Sequence, residues 1–117
     1  MRRYQKPVRQ WPAFRLRDIP PALRADLSRS AAYEGISIAD VVRGHLCDRY
    51  LLDCKLQSYG YDRERDSGTT DTLLLRLDPR LKRAIAKEAK KTGRSQHSIV
   101  IGTLQAHYKR RVHVRQA

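Results

Sequence analysis

Leu75-Arg76-Leu77-Asp78-Pro79-Arg80-Leu81, then Gly93-Arg94-Ser95 and Ile99-Val100, is a pattern that the chain spells twice. Shifting the sequence by 58 positions lays Pro21 on Pro79, Leu23 on Leu81, Ala31 on Ala89, Gly35 on Gly93, Ser37 on Ser95, Val42 on Val100, Gly44 on Gly102, Leu46 on Leu104 and Tyr50 on Tyr108. Leu27 with Ile85 and Val41 with Ile99 fall in the same register. One ungapped offset from residue 21 to residue 50 is the mark of a duplicated supersecondary unit.

Each copy has the same internal order. Ala13-Phe14-Arg15-Leu16-Arg17 and Thr72-Leu73-Leu74-Leu75-Arg76-Leu77 are short segments stopped by Asp and Pro, which predicts strands. Pro21 and Pro79 then sit where a first helical turn accepts proline. Leu23, Leu27, Ala31 and Leu81, Ile85, Ala89 recur every four residues up to Gly35 and Gly93, the expected helix caps. Ser37 and Ser95 are expected N-caps of a second helix, with Asp40 as a weak capping-box partner; Val41, Val42, Leu46 and Ile99, Val100, Leu104 form its apolar stripe. Leu51, Leu52 and Leu56 are expected to extend the first of these second helices beyond Tyr50.

A lone strand leaves its backbone donors and acceptors unpaired, and a unit of this size is near the limit of independent folding. Pairing the two strands solves both problems. The expected fold class is therefore mainly α with a two-stranded antiparallel ribbon over four helices, in the order β-α-α-linker-β-α-α. The boundaries read 1–12 for a basic arm, 13–57 for the first unit, 58–71 for a polar, glycine-containing linker, 72–110 for the second unit and 111–117 for a basic tail; 13–110 fold together. Both terminal segments are expected to be mobile arms.

The 117 residues carry 25 Lys and Arg against 12 Asp and Glu, a net charge of +13, so a polyanion is the expected partner. The charge is uneven: residues 67–117 hold 12 basic and 3 acidic side chains. No apolar run approaches a membrane span and no signal-type stretch follows the N-terminus, so a soluble, cytoplasmic, nucleoid-associated protein is expected. His45, His97, His107 and His113 are scattered singly, without metal-ligand spacing or a nucleophile nearby; no enzyme activity, metal or cofactor is expected. Cys47 and Cys54 are seven apart; on one continuous helix they would be separated by about 10 Å along the axis, and two reduced thiols are expected.

Phe14-Arg15-Leu16-Arg17, Pro21-x-Leu23, Gly35-x-Ser37 and Val41-Val42, with their second-copy counterparts, resemble the ribbon-helix-helix DNA-binding family. The duplication resembles its tandem single-chain form, so the resemblance implies a pseudo-dimer within one chain. It also implies sequence-specific binding of double-stranded DNA with the ribbon in the major groove, as a transcriptional repressor. Alternation turns Phe14, Leu16, Leu73, Leu75 and Leu77 inward, so the base-contacting residues are expected to be Ala13, Arg15, Arg17, Thr72, Leu74 and Arg76. Arg17 and Arg76 become equivalent; Arg15 and Leu74 are equivalent but chemically unlike, so an imperfectly palindromic site is expected.

The family also anchors phosphate on the N-terminus of its second helix, which implicates Ser37 and Ile38 in one copy and Arg94, Ser95 and Gln96 in the other. Arg94 has Ile36 as its counterpart, so the second clamp is expected to be the stronger. Arg2, Arg3, Lys6 and Arg9, with Trp11, are either solvated charge or an arm that follows the DNA backbone. One ribbon reads few base pairs, so self-association on adjacent subsites is expected. The first copy has one extra residue between its strand and its helix, where a bulge or an altered turn that shifts the facing of the first strand is expected. Three alternatives remain open: an accessory factor that bends or marks DNA for recombination or plasmid transfer, an antitoxin-like protein-interaction module, and a nonspecific packaging protein.

Overall fold

The computed structural model describes residues 11–52 and 71–116, with side chains through Lys109. Two strands and four helices follow one another as β1 (Ala13–Leu16), α1 (Pro21–Glu34), α2 (Ile38–Arg49), β2 (Leu73–Arg76), α3 (Pro79–Thr92) and α4 (Gln96–Gln116). The strands pair antiparallel, Ala13 opposite Arg76, Phe14 opposite Leu75, Arg15 opposite Leu74 and Leu16 opposite Leu73. The protein is thus mainly helical with one two-stranded antiparallel sheet, as expected, although each strand is shorter than the sequence pattern.

The sheet has one dry face and one open face. Leu16, Leu73, Leu75 and Leu77 are buried against Leu23 and Leu27 of α1, Val42 and Leu46 of α2, Leu81 and Ile85 of α3, and Val100 and Leu104 of α4. Each fully buried leucine or isoleucine contributes about 1.5–3 kcal/mol, and this continuous cluster is what two short strands lack on their own.

Both first helices end on glycine in the left-handed region, Gly35 at φ 71° and Gly93 at φ 77°, each N–H closing on the carbonyl of Ala31 or Ala89. The helix starts differ. Asp78 caps α3, its Oδ1 accepting from the Arg80 N–H at 2.8 Å, whereas Pro20 stands at that place before α1 and supplies no side-chain cap. Ser37 Oγ accepts from the Asp40 N–H at 3.0 Å and Ser95 Oγ from the Ser98 N–H at 3.0 Å, so both expected serine caps are present.

The extra residue of the first copy is Asp18. Beyond the ribbon, Leu77 N–H donates to Pro12 O and Ile19 N–H to Asp71 O, both at 3.0 Å, so Ile19 takes the role of Leu77 at the helix offset of 58. Arg17 instead matches Arg76 at an offset of 59, and Asp18 between them adopts φ 53°. The left-handed residue absorbs the insertion, so the facing of β1 is unchanged. Asp tolerates this region better than most residues, whereas a β-branched side chain does not. Asp18→Val is expected to lower unfolding free energy by about 1–2 kcal/mol while Asp18→Gly does not, measured by urea denaturation.

Three expectations are corrected. First, α2 stops at Arg49: Tyr50 leaves the helix and Leu51 is left-handed at φ 55° and 91% exposed, so Leu51 and Leu52 do not prolong it, and Leu56 lies outside the described residues. Second, because the helix ends there, the axial separation assumed for the cysteines does not apply. Cys47 is disulfide-bonded, and Cys54, the other cysteine of the chain, lies outside the described residues. Third, α4 runs through Gln116, so the backbone of the expected basic tail is helical rather than a loose arm.

Candidate nucleic-acid interface

Six residues were expected on the outer face of the ribbon, and the pleat places them there. Ala13 and Arg15 are exposed, Leu74 is 40% exposed, Arg76 is half-buried, and Arg17 and Thr72, just beyond the paired residues, are exposed and half-buried. The register sets Arg76 across from Ala13 and Arg15 across from Leu74, and its continuation sets Arg17 across from Thr72. Each cross-strand row therefore has one arginine, and none of the six residues is acidic. Like charges so close on one face repel, so this arrangement favours an anionic partner.

Both strand exits are held by the second helix of the other half. Arg43 of α2 donates from Nη1 to Arg76 O at 3.2 Å, and His97 of α4 bonds through Nε2 to Arg17 O. Arg17 and Arg76 are the matched residues of the two strands, so equivalent carbonyls are capped from unlike positions. Arg76 is further steadied by a weak bond from Nη1 to Trp11 O at 3.4 Å. Trp11 is itself buried, which corrects its placement in a mobile arm; Arg2, Arg3, Lys6 and Arg9 lie outside the described residues.

The two second-helix N-termini differ sharply. At α2, Ser37, Ile38, Ala39 and Asp40 are all buried, and the first turn encloses an ion pair of Asp40 Oδ1 with Arg43 Nη2. Asp40 therefore does not close a capping box with its carboxylate. At α4, Arg94 and Ser95 are exposed and Gln96 and His97 half-exposed, so of the two this end is the accessible one. Arg94 donates from Nη2 to Ser98 O at 3.1 Å, which lays its guanidinium along the first turn of α4. Free N–H groups, the helix dipole and a guanidinium together make a favourable place for a phosphate.

Sequence reasoning missed the roles of Arg43 and His97 at the strand exits. The Asp40–Arg43 spacing of three was a legible hint of an ion pair, but the partner carbonyls come from segments 33 and 80 residues away. Around the site, α3 is strongly basic, with Arg80, Lys82, Arg83, Lys87, Lys90 and Lys91 against Glu88. Lys82 Nζ stands 5.9 Å from the centre of the Phe14 ring at the ribbon edge.

Glu88 ties α3 to the end of α2, accepting from Tyr50 Oη at 2.6 Å and Arg49 Nη2 at 2.5 Å. The Tyr50 hydroxyl, then the Arg49 guanidinium, outweigh desolvation and hold the Glu88 carboxyl below its ordinary value. Burial raises the Asp78 carboxyl, but the side-chain and backbone bonds from Arg80 outweigh it, and the net shift is again downward. A carboxyl depressed on folding contributes stability above its unfolded value and loses it as the pH falls through its folded value. Stability is therefore expected to fall on acidification through and below the ordinary carboxylate range. Glu88→Gln is expected to flatten that fall, as urea titrations over a pH series would register.

Among the described residues no group of His, Cys, Asp or Glu is arranged to hold a metal, and no helix is long and apolar enough to cross a membrane. Comparison of the chain with family models, curated proteins and solved structures finds no match.

Proposed function

We propose that the chain is a tandem ribbon-helix-helix protein that binds duplex DNA sequence-specifically, with the ribbon in the major groove, and acts as a repressor by occupying its site. The observation that carries this reading is the outer ribbon face: three arginines, one per cross-strand row, with no carboxylate among them and a packed core beneath. A two-stranded ribbon fits the major groove, where an arginine donates two hydrogen bonds to guanine O6 and N7.

The register also supports a pseudo-two-fold relation between the halves. At the strand offset of 59, Arg15 is the counterpart of Leu74, and these two residues are directly opposite each other. A residue that pairs with its own counterpart lies on a two-fold axis. The centre of the ribbon is therefore where the halves differ most in chemistry, a guanidinium beside an isobutyl group. Arg15 suits guanine or phosphate and Leu74 a thymine methyl, so the preferred duplex is asymmetric at its centre. The open α4 N-terminus and the buried α2 N-terminus bias phosphate anchoring to one side in the same way.

Leu74→Arg restores chemical symmetry to the central pair. Selection of duplexes from a random pool is expected to yield an asymmetric centre for the wild type and a more symmetric, guanine-richer centre for the variant. Identical motifs from both proteins would remove Leu74 from the readout. The absence of any motif from either would contradict sequence-specific binding.

A further inference from the structure

Between the C-terminal half of α2 and α4 lies a cavity of about 430 Å³ that shares no residue with the ribbon. Its wall carries Arg49, Arg94, His45, His107, Thr103 and Asp48. Small-molecule sites occupy roughly 300–1,000 Å³ and use a few placed polar groups to orient the ligand.

These groups are held in place. The His45 and His107 ring centroids are 3.9 Å apart, and the Tyr108 ring stands edge-on to both, at 5.5 and 4.8 Å. Tyr108 is buried, and its hydroxyl bonds Ser30 Oγ at 2.8 Å and His45 Nε2 at 3.2 Å, joining α1, α2 and α4 behind the cavity. Arg49 is braced by Glu88. Arg94 reaches over α4 close to Gly102, where a β-carbon would stand 3.0 Å from Arg94 Nη2.

The repeat adds an independent argument. Positions that pack the core are matched between the copies, as Val42 with Val100 and Leu46 with Leu104. The polar and charged residues that line the cavity are not: His45 corresponds to Thr103, Asp48 to Ala106, Arg49 to His107, and Arg94 to Ile36. Packing of the duplicated unit does not require this set of polar groups.

We infer that the cavity binds a small organic anion bearing a hydroxyl or amino group. Its anionic group meets Arg94 and the imidazole edges, while Asp48 and the Thr103 oxygen, whose own proton goes to Ile99 O at 2.8 Å, accept from its donor. Arg49, already shared with Glu88, adds positive potential rather than a full unit of charge. The inference goes beyond the DNA reading and does not depend on it.

The test is NMR of the full-length chain titrated with glycerol 3-phosphate or with citrate, at ionic strength held constant with sodium chloride. Saturable shifts centred on His45, Thr103 and His107 are expected with at least one of them. The more effective probe identifies a phosphate ester or a polycarboxylate as the anion. Arg94→Gln removes a charged donor and is expected to weaken binding by about tenfold or more. Thr103→Val tests the same wall without altering charge and is expected to weaken binding by a few-fold, on the order of one neutral hydrogen bond. Shifts that match those of sodium chloride alone, or that never saturate, would overturn the inference. So would unchanged affinity in both variants, each shown to be folded by its remaining resonances. The readout uses free protein, so it fails or succeeds separately from DNA binding.

Discussion

Arg43→Ala is expected to lower the unfolding free energy by about 3–5 kcal/mol, because it strands a buried carboxylate. Asp40 and Arg43 are 2% and 1% exposed, and Asp40 Oδ2 has no hydrogen-bond partner among the described residues, so all of its ionic compensation comes through Oδ1. The same substitution uncaps Arg76 O at the exit of β2. Asp40→Ala is expected to be destabilising too, since it takes a buried carboxylate away from the guanidinium.

The double replacement Asp40→Leu/Arg43→Met is a different matter, because burying two charges is itself costly and a well-packed apolar pair is often no worse. The second half of the chain already has Ser98 and Ile101 at the corresponding places. The double variant is accordingly expected to lose much less stability than either single alanine variant. Urea denaturation of the three proteins measures this. A loss of less than about 1 kcal/mol for Arg43→Ala would show that the pair is not isolated from water.

On DNA, the largest expected effect comes from Arg17→Ala/Arg76→Ala. Each bidentate arginine–guanine contact is worth about 1–3 kcal/mol of discrimination, so losing both is expected to reduce preference for the selected duplex by roughly 30-fold to 10⁴-fold. Stability is expected to change little. Arg17 is exposed and gives the structure its backbone carbonyl, and Arg76 loses from its side chain only the 3.4 Å bond to Trp11 O. Binding to unrelated duplexes is expected to persist, since most of the net charge of +13 lies elsewhere.

Much of this architecture can be read from local signals. Pro79, Gly93 and Ser95 punctuate helices through backbone rules that act within a few residues, and their copies at Pro21, Gly35 and Ser37 repeat the message. Period-two alternation assigned the faces of both strands, and the one-residue discrepancy between copies pointed to a bulge or an altered turn; that Asp18 absorbs it is a matter of backbone dihedral. The end of α2 was not legible, because Leu51 and Leu52 continue the apolar composition while the backbone turns at Leu51. The same turn undid the argument from helix geometry about Cys47.

The candidate site divides along the same line. Ribbon residues follow from alternation. The burial of Ser37 and Ile38, by contrast, depends on what surrounds the start of α2, as does the enclosure of Arg43. Two N-termini with the same serine cap are placed in opposite environments, and only tertiary packing separates them.

The most direct test of ribbon readout is selection of bound duplexes from a random pool at near-physiological salt, with the wild type and Arg17→Ala/Arg76→Ala side by side. A recurring motif for the wild type that disappears in the variant, with residual binding retained, is the predicted result. Failure of the wild type to enrich any motif, or the same motif from both proteins, would contradict it.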